Sequence, residues 1–440
     1  MRQKESTPRL LQAMRDAWAL PDLRGKLIFT ALMLVIFRFV AHIPLPGVDP
    51  VAMQNFFESS PLLGMLDLFS GGAMRNFSIA AMGVYPYITS SIVMTLLVPI
   101  IPRLREISAE GESGRHKINL YTHWLTVPLA ALQGYTQFIV LRSAGTIAVT
   151  DPMAITAIVV SMTAGTMFLV WLGELITERG IGNGVSIIIF GGIVANLPQE
   201  IGRGLLTQEG GNFLGLIVFV IFFLVLVWLI VVFTEGHRRI PVQYAKAIFR
   251  GDKMYRQQGA THVPLRVNTA GMIPLIFAMS LMLFPGTIAT YFMAPAGQPA
   301  NFANTIAQWF NPSASMPIGI FYWALYFLLT VAFAFFYTMV IFEQMNIAKT
   351  LQQQGGFIPG VRPGKPTTDY LNRVINRITW GGALFLALVA VSPFIVGQGT
   401  GIQALQLSST AVLIIVGVAL DTMKQVEAQL TMRRYEGFLK

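Results

Sequence analysis

The chain is 440 residues long, with a mean hydropathy of +0.60 and only 12% charged residues. That excludes a soluble globular domain and fits an integral membrane protein whose core is built of packed spans. Cysteine is absent, so disulfides and thiolate chemistry are excluded too, and the net charge of +10 matters more for its position than for its size.

Residues 1–25 are polar and basic, and Leu10, Leu11, Met14 and Trp18 recur at helical spacing, the pattern of an amphipathic helix on the membrane surface. The apolar run that follows is span-length and has no small-residue cleavage pattern after it, so this is no cleavable signal. The first span is expected at about Leu27 to Ile43, with Arg38 inside it. An intramembrane Arg is a functional candidate, but this one lies near the span end, where snorkelling to the interface is expected.

The next stretch, Leu66 to Leu97, begins like a span and then breaks. Ser70-Gly71-Gly72 interrupts the apolar run and Arg75-Asn76 follows at once. A second run, Phe77 to Ile101, exceeds the roughly 20 residues a crossing needs, with Gly83 and Pro86 inside it. Unpaired backbone is tolerated at membrane depth only where protein covers it or where it lines a water-filled cavity. A broken segment leading into a kinked span therefore points to something that plugs or lines a pathway. An ordinary loop before a Pro-kinked span is the alternative.

Further apolar runs fall near 118–141, 153–173, 185–201, 212–233, 267–293, 316–342, 378–396 and 402–420, giving about ten spans. An even count puts both termini on one side. All but four of the 31 Lys and Arg residues then fall in loops and termini of one face. Arg38 is in a span, and only Arg75, Arg142 and Arg203 lie opposite. This excess marks the cytoplasmic face and supports the span count.

Two loops on that face, 234–266 and 343–377, are long and basic and ordered by Gly and Pro. Their length points to a partner surface, with Arg able to meet phosphate or carboxylate; the positive-inside bias alone is the alternative source of their charge. Split five and five, each half has a Gly/Pro-interrupted second span, the other being Asn268 to Pro274 continuing to Pro285-Gly286. Interrupted spans at matching positions point to the transport path of an inverted-repeat fold.

Enzyme readings find little support. Gly111-Glu112-Ser113-Gly114 matches an intramembrane serine-protease motif but lies in a charged loop outside any span. The five histidines, His42, His116, His123, His237 and His262, show no paired metal-ligand spacing. No phosphate-loop motif is present, and Glu174 and Glu178 border a span that they are expected to help end. The spans hold almost no acidic relay groups of the kind ion-coupled transporters carry.

Several motifs, in order, carry a close family resemblance over nearly the whole length. They are Leu68-Phe69-Ser70-Gly71-Gly72, the Gly83-to-Ser90 run with Pro86-Tyr87, Glu178-Arg179-Gly180-Ile181-Gly182-Asn183-Gly184, Arg238-Arg239-Ile240-Pro241-Val242-Gln243-Tyr244, Phe357-Ile358-Pro359-Gly360-Val361-Arg362-Pro363-Gly364 and the tail Tyr435-Glu436-Gly437-Phe438-Leu439. The chain resembles the SecY family, the channel-forming subunits of the bacterial Sec protein translocase. The resemblance implies an all-α membrane protein of about ten transmembrane helices, in two pseudo-symmetric inverted halves around a central pore. It implies a plug at about 61–73, including Leu66, Phe69, Ser70, Gly71 and Gly72. Val84, Ile88, Ile276 and Ile414 match an aliphatic pore ring, with Val185 and Ile189 added by spacing. Position 84 is Val where the family often has Ile, a departure expected to loosen the ring slightly at most. Thr89, Gln133 and Asn268 match a polar cluster at a lateral gate, and Arg238, Arg239 and Arg362 lie in loops that resemble those meeting the ribosome and the motor ATPase SecA. Implied partners also include the small membrane subunits SecE and SecG, signal peptides, nascent polypeptides and lipid. No cofactor, metal or catalytic residue is implied.

Apart from the resemblance, Val84 and Ile88 at i, i+4 spacing ordinarily mean core packing. Around a pathway the same residues would exclude water without trapping a cargo. The expected organisation is a cytoplasmic segment at 1–25, a first half at 26–202, and a linker with the sixth span at 203–233. The basic loop 234–266, spans at 267–342, the second loop 343–377, spans at 378–422 and a cytoplasmic tail at 423–440 follow. The expected function is a protein-conducting channel in the bacterial cytoplasmic membrane that also releases transmembrane segments into lipid, with both termini cytoplasmic. A secondary transporter of a small solute is the alternative, and an intramembrane hydrolase a weaker third.

Overall fold

The structure is a computed structural model. It describes residues 18, 20–48, 53, 67, 70–143, 145–147, 149–206, 213–250, 253–293, 299, 301–311, 314, 317–400 and 408–437. The expected surface helix around Leu10, Leu11 and Met14, the plug residues Leu66 and Phe69, and Phe438-Leu439 of the tail lie outside these residues.

Each of the ten expected spans falls on a helix. In chain order these are α1 (Pro21–Val40), α2 (Tyr85–Ile100) with the short α3 (Pro102–Ala109), α4 (Glu112–Ser143), α5 (Pro152–Arg179), α6 (Gly184–Leu206) and α7 (Phe213–Glu235). After the strands β1 (His237–Arg250) and β2 (Lys253–Arg266) come α8 (Ile273–Tyr291), the short α9 (Phe302–Trp309), α10 (Ile318–Met345), α11 (Ile347–Gln353), β3 (Gly356–Phe357), α12 (Lys365–Thr400) and α13 (Ser408–Gly437). Among the described residues, four helical segments are long and apolar enough to cross a membrane singly: those of α4, α5, α10 and α12. Shorter apolar stretches lie in α6, α7 and α8.

The second span differs from expectation. Helix begins only at Tyr85, and residues 71–77 and 79–84 are turns. Pro86 therefore sits in the first helical turn, where no N–H is needed, and does not kink the span. The sharp bend comes at the other end, where α2 and α3 meet at 98°. Ile101 precedes Pro102, and clash with the proline ring disfavours helical geometry there; its ψ is 114°.

The chain forms two compact units. The first comprises Met1–Gly211, Leu283–Gly319 and Ile414–Lys440. Its core joins Phe77, Ala81 and Met82 to Ala130, Phe138 and Leu141 of α4 and to Ile158 and Met162 of α5. A smaller cluster packs Leu23 of α1, Ile181 and Val426 of α13. The second unit comprises Asn212–Met282 and Ile320–Leu413. In it α7 lies on α12, with the Phe233 ring stacked on Phe385 at 4.0 Å between centroids.

The loop at 234–266, assigned no secondary structure from the sequence, is an antiparallel hairpin running from His237↔Arg266 to Arg250↔Lys253. Its local cause is period-2 burial: Ile240 and Val242 turn inward while Arg239 and Pro241 face out. Burying that face gives the hairpin the support a two-stranded ribbon in water lacks. The spans are helical as expected, and among the described residues the sheet is confined to the two long loops.

Candidate functional site

The broken stretch after α1 is packed, not an open loop. Ser70, Ala73, Met74, Phe77, Ala80, Ala81 and Val84 are all buried. Its backbone is paired with the segment leaving α1: Leu45 N–H donates to Phe77 O at 2.9 Å and Ile79 N–H to Ile43 O at 3.1 Å. On the far side the Ile79 carbonyl rests against Gly165 of α5.

Gly71 is needed where it stands. Its φ is +65°, and a Cβ there would lie 2.6 Å from the Gly192 Cα of α6 and 2.9 Å from the Phe37 ring of α1. Two glycines thus let the break lie directly on α6, an approach a side chain would forbid. Arg38 holds it from α1, donating from Nη1 to Gly71 O at 2.6 Å. The snorkelling expected of Arg38 is therefore corrected: the guanidinium turns inward, because a carbonyl freed by the break needs a donor. Asp67 is buried and accepts from Ser70 Oγ at 3.0 Å, with Arg75 Nε 2.8 Å from its other oxygen. Burial pushes the Asp67 carboxyl above its usual range, and the Arg75 charge opposes that shift.

The six candidate ring residues sit near helix starts or one step before. Val84 is the N-cap of α2 and Ile88 lies in its first turn; Val185 and Ile189 open α6. Ile276 opens α8, and Ile414 lies in the second turn of α13. All are buried except Val185, which is half-buried. Ile276 belongs to the second unit and the other five to the first.

Of the candidate gate residues, Thr89 donates to the Tyr85 carbonyl of its own helix at 3.0 Å. Gln133 Oε1 on α4 is buried with no hydrogen-bond partner among the described residues. Asn268 lies in the second unit, in the bend before α8.

A polar group the sequence did not reveal ties α2, α4 and α5 together. Tyr87 stacks on His123 at 5.6 Å and donates to Asn119 Oδ1 at 3.4 Å. Asn119 donates to Glu174 at 3.0 Å, and His123 Nε2 stands 3.1 Å from the same oxygen. Glu174, expected only to help end its span, is thus a partner of α4. Residues so far apart in sequence leave no local signal. The Glu178–Gly184 motif likewise proves to be a joint. Ile181 N–H donates to Thr30 of α1 at 3.2 Å and Gly182 N–H to Gln425 of α13 at 2.8 Å.

The two basic loops come together in the second unit. β3, from the second loop, pairs with β1 through Gln243↔Phe357 and Tyr244↔Gly356. A Cβ on Gly356 would lie 2.8 Å from the Tyr244 ring, so only glycine lets that ring cover the strand. Beneath the sheet Ile240, Val242, Leu265, Phe342, Leu371 and Ile375 form one core. Arg238, Arg239 and Arg362 remain exposed.

A multi-pass bundle with this arrangement has the fold of a protein-conducting channel. The chain is similar to a SecY protein whose plug domain stabilises the closed state of its translocation channel (TM-score 0.64, 19% identity, 97% of each chain). It is similar as well to Sec61 of a canine ribosome–channel complex from the endoplasmic reticulum (TM-score 0.62, 16% identity, 97% of each chain). The SecY family model matches residues 78–423. A protein translocase subunit SecY of Streptomyces lividans is 43% identical over 450 residues, covering 98% of this chain and all of the relative. The chain belongs to the SecY family. That membership supports a channel for protein and sets aside the small-solute transporter.

Proposed function

We propose that this chain is the pore subunit of a protein translocase, passing unfolded polypeptide across the membrane and releasing apolar segments sideways into lipid. The observation that carries the reading is the 43% identity to a translocase subunit across that relative's full length. The chain itself performs no catalysis. The driving force comes from SecA or the ribosome, docked on the surface bearing Arg238, Arg239 and Arg362, whose exposure supports that role. SecE and SecG are its small companions, and signal peptides and nascent chains its cargo. It resides in a bacterial cytoplasmic membrane with both termini cytoplasmic, and the functional segments follow the boundaries read from the sequence.

Val84, Ile88, Val185, Ile189, Ile276 and Ile414 form the constriction, an apolar set that excludes water and offers no polar site to hold a cargo. Leu66 and Phe69 with Ser70, Gly71 and Gly72 form the plug, a role supported by the buried packing of the stretch that follows. Thr89, Gln133 and Asn268 form the lateral gate. The unpartnered oxygen of Gln133 supports this, because a buried amide without a partner costs about 1–3 kcal/mol and gains from any donor the gate brings.

The test uses vesicles holding the chain with its small subunits, supplied with the motor ATPase and ATP. A signal-bearing precursor is expected to become protease-protected. In the same vesicles Asn268→Leu is expected to change how hydrophobic a segment must be to enter lipid. A precursor that stays protease-accessible throughout would remove the channel reading. An unchanged threshold would remove Asn268 from the gate.

A further inference from the structure

At its C-terminal end α8 faces the short α9 across an apolar groove of about 490 Å³. That size lies within the range of roughly 300–1,000 Å³ typical of ligand clefts. Phe284, Ile288 and Phe292 make one wall, and Phe302, Ala303 and Ile306 the other.

Three observations say what can occupy it. The first is charge: no Asp, Glu, Lys, Arg or His occurs between Arg266 and Glu343, and no charged residue lines the groove among the described residues, so the lining does not reward an ionic ligand. The second is hydration. Of the described lining residues only Asn301 is polar, and its Oδ1 already accepts from Phe302 N–H at 2.7 Å as the cap of α9. A water molecule needs two to four polar partners and does not find them among these side chains. An extended peptide would bring backbone groups that the lining cannot satisfy.

The third is continuity with the lipid-facing surface. Leu281, Phe284 and Ile288 of α8 and Phe292 just past its end are exposed large apolar residues at three- and four-residue spacing; in a membrane-spanning chain such a stripe is expected to face lipid, and the groove lies at its end. On α9, Phe302 is 76% exposed and Trp309 44%, while Asn304 and Gln308 occupy the opposite side. Such a helix, with aromatic residues on one side and polar ones on the other, lies in the membrane–water interface.

We propose that this groove seats one acyl chain of a bilayer phospholipid. Here α8 and α9 flank the chain, so it gains packing contacts on a second side that a single helix face does not offer. The amphipathic α9 marks the level at which the headgroup sits.

The test uses the full chain with its small subunits in vesicles of phosphatidylglycerol and phosphatidylcholine. The vesicles carry a trace of phosphatidylcholine with a diazirine at the end of one acyl chain. After illumination, adducts at Ile288, Phe302 and Ile306 are expected to exceed those at Leu224 and Trp228, exposed apolar residues of α7, by about threefold. The margin is modest because in lipid only packing distinguishes a seated chain from its neighbours. Ala303→Trp fills the groove and should bring its adducts down to the α7 level while leaving α7 labelling unchanged. Phe302→Ser alters a side chain too exposed to hold the fold together, opens the wall and should do the same. Groove labelling equal to that of α7 in the unsubstituted chain, or labelling that survives both substitutions, overturns the proposal. A photoactivatable amino acid at Ile288 that captures a partner polypeptide instead of lipid overturns it too.

Discussion

Arg38 and Gly71 act on one carbonyl from two sides: the glycine brings the backbone onto α6, and the guanidinium satisfies the oxygen left free. Placing a β-branched residue at φ +65° adds backbone strain of about 1–3 kcal/mol, and the clash with Gly192 adds to it. Losing the Arg38 bond costs a similar amount, since hydrogen bonds from charged donors contribute about 1.5–3 kcal/mol. Gly71→Val and Arg38→Met should therefore loosen the break without unfolding the bundle. The chain has no cysteine, so a single Ala73→Cys reports this cleanly, its thiol being buried when the break is packed. Reactivity with a thiol reagent is expected to rise at least about 5-fold in either background, the change in opening that about one kcal/mol or more produces. Equal reactivity with and without the substitutions would mean that neither residue fastens the break. The glycines and the position of Arg38 were legible in the sequence. The direction in which Arg38 turns was not, because its partner carbonyl is 33 residues away and the interruption that frees it gives no local pattern.

Among the elements, the loops are where sequence and structure diverge most. Ile240, Val242 and Tyr244 alternate as a strand should, so β1 was open to reading from period alone. Its partner β3 was not: two residues give no periodicity, and the Gly355-Gly356 pair reads as a turn until the Tyr244 ring is seen above it. The pairing makes one surface of two loops, and this sharpens the role of their arginines. Arg239 and Arg362 are exposed, so replacing them should disturb folding by no more than about 0.5 kcal/mol. Arg362→Glu, and less severely Arg239→Glu, is expected to impair transport at normal protein level, with weakened binding of the motor ATPase or ribosome. The comparison to make is transport per inserted molecule. If transport survives both changes, or if its loss only tracks abundance, these loops are not the partner surface.

For the whole molecule, apolar runs long enough for the hydrocarbon thickness located the spans, the loop Lys and Arg asymmetry supported their count, and among the described residues a helix stands at each expected position. What the sequence could not yield is the bend at Ile101, set by a single proline, and the polar group of Tyr87, Asn119, His123 and Glu174, assembled only by tertiary packing. The orientation is directly testable. Cysteines at Arg105 and Lys365 should be shielded from an impermeant thiol reagent added to intact cells, and one at Gln308, exposed on α9, should be labelled. Labelling of the first two from outside would invert the topology. The ring residues offer the strongest test of function, because two readings give opposite signs. As plain core, Ile276 and Ile414 are buried, and Ile→Asn at either strands an amide at a cost of about 1–3 kcal/mol, lowering abundance and export together. As a water-excluding constriction they favour the closed state, so a polar side chain eases wetting and opening. Ile276→Asn and Ile414→Asn are then expected to raise export of a reporter with a defective signal sequence and to leak small ions, at near-normal protein level. The measurements are reporter export, ion leak and abundance in the same cells. Normal leak with reduced protein and reduced export in both variants would return these residues to the core.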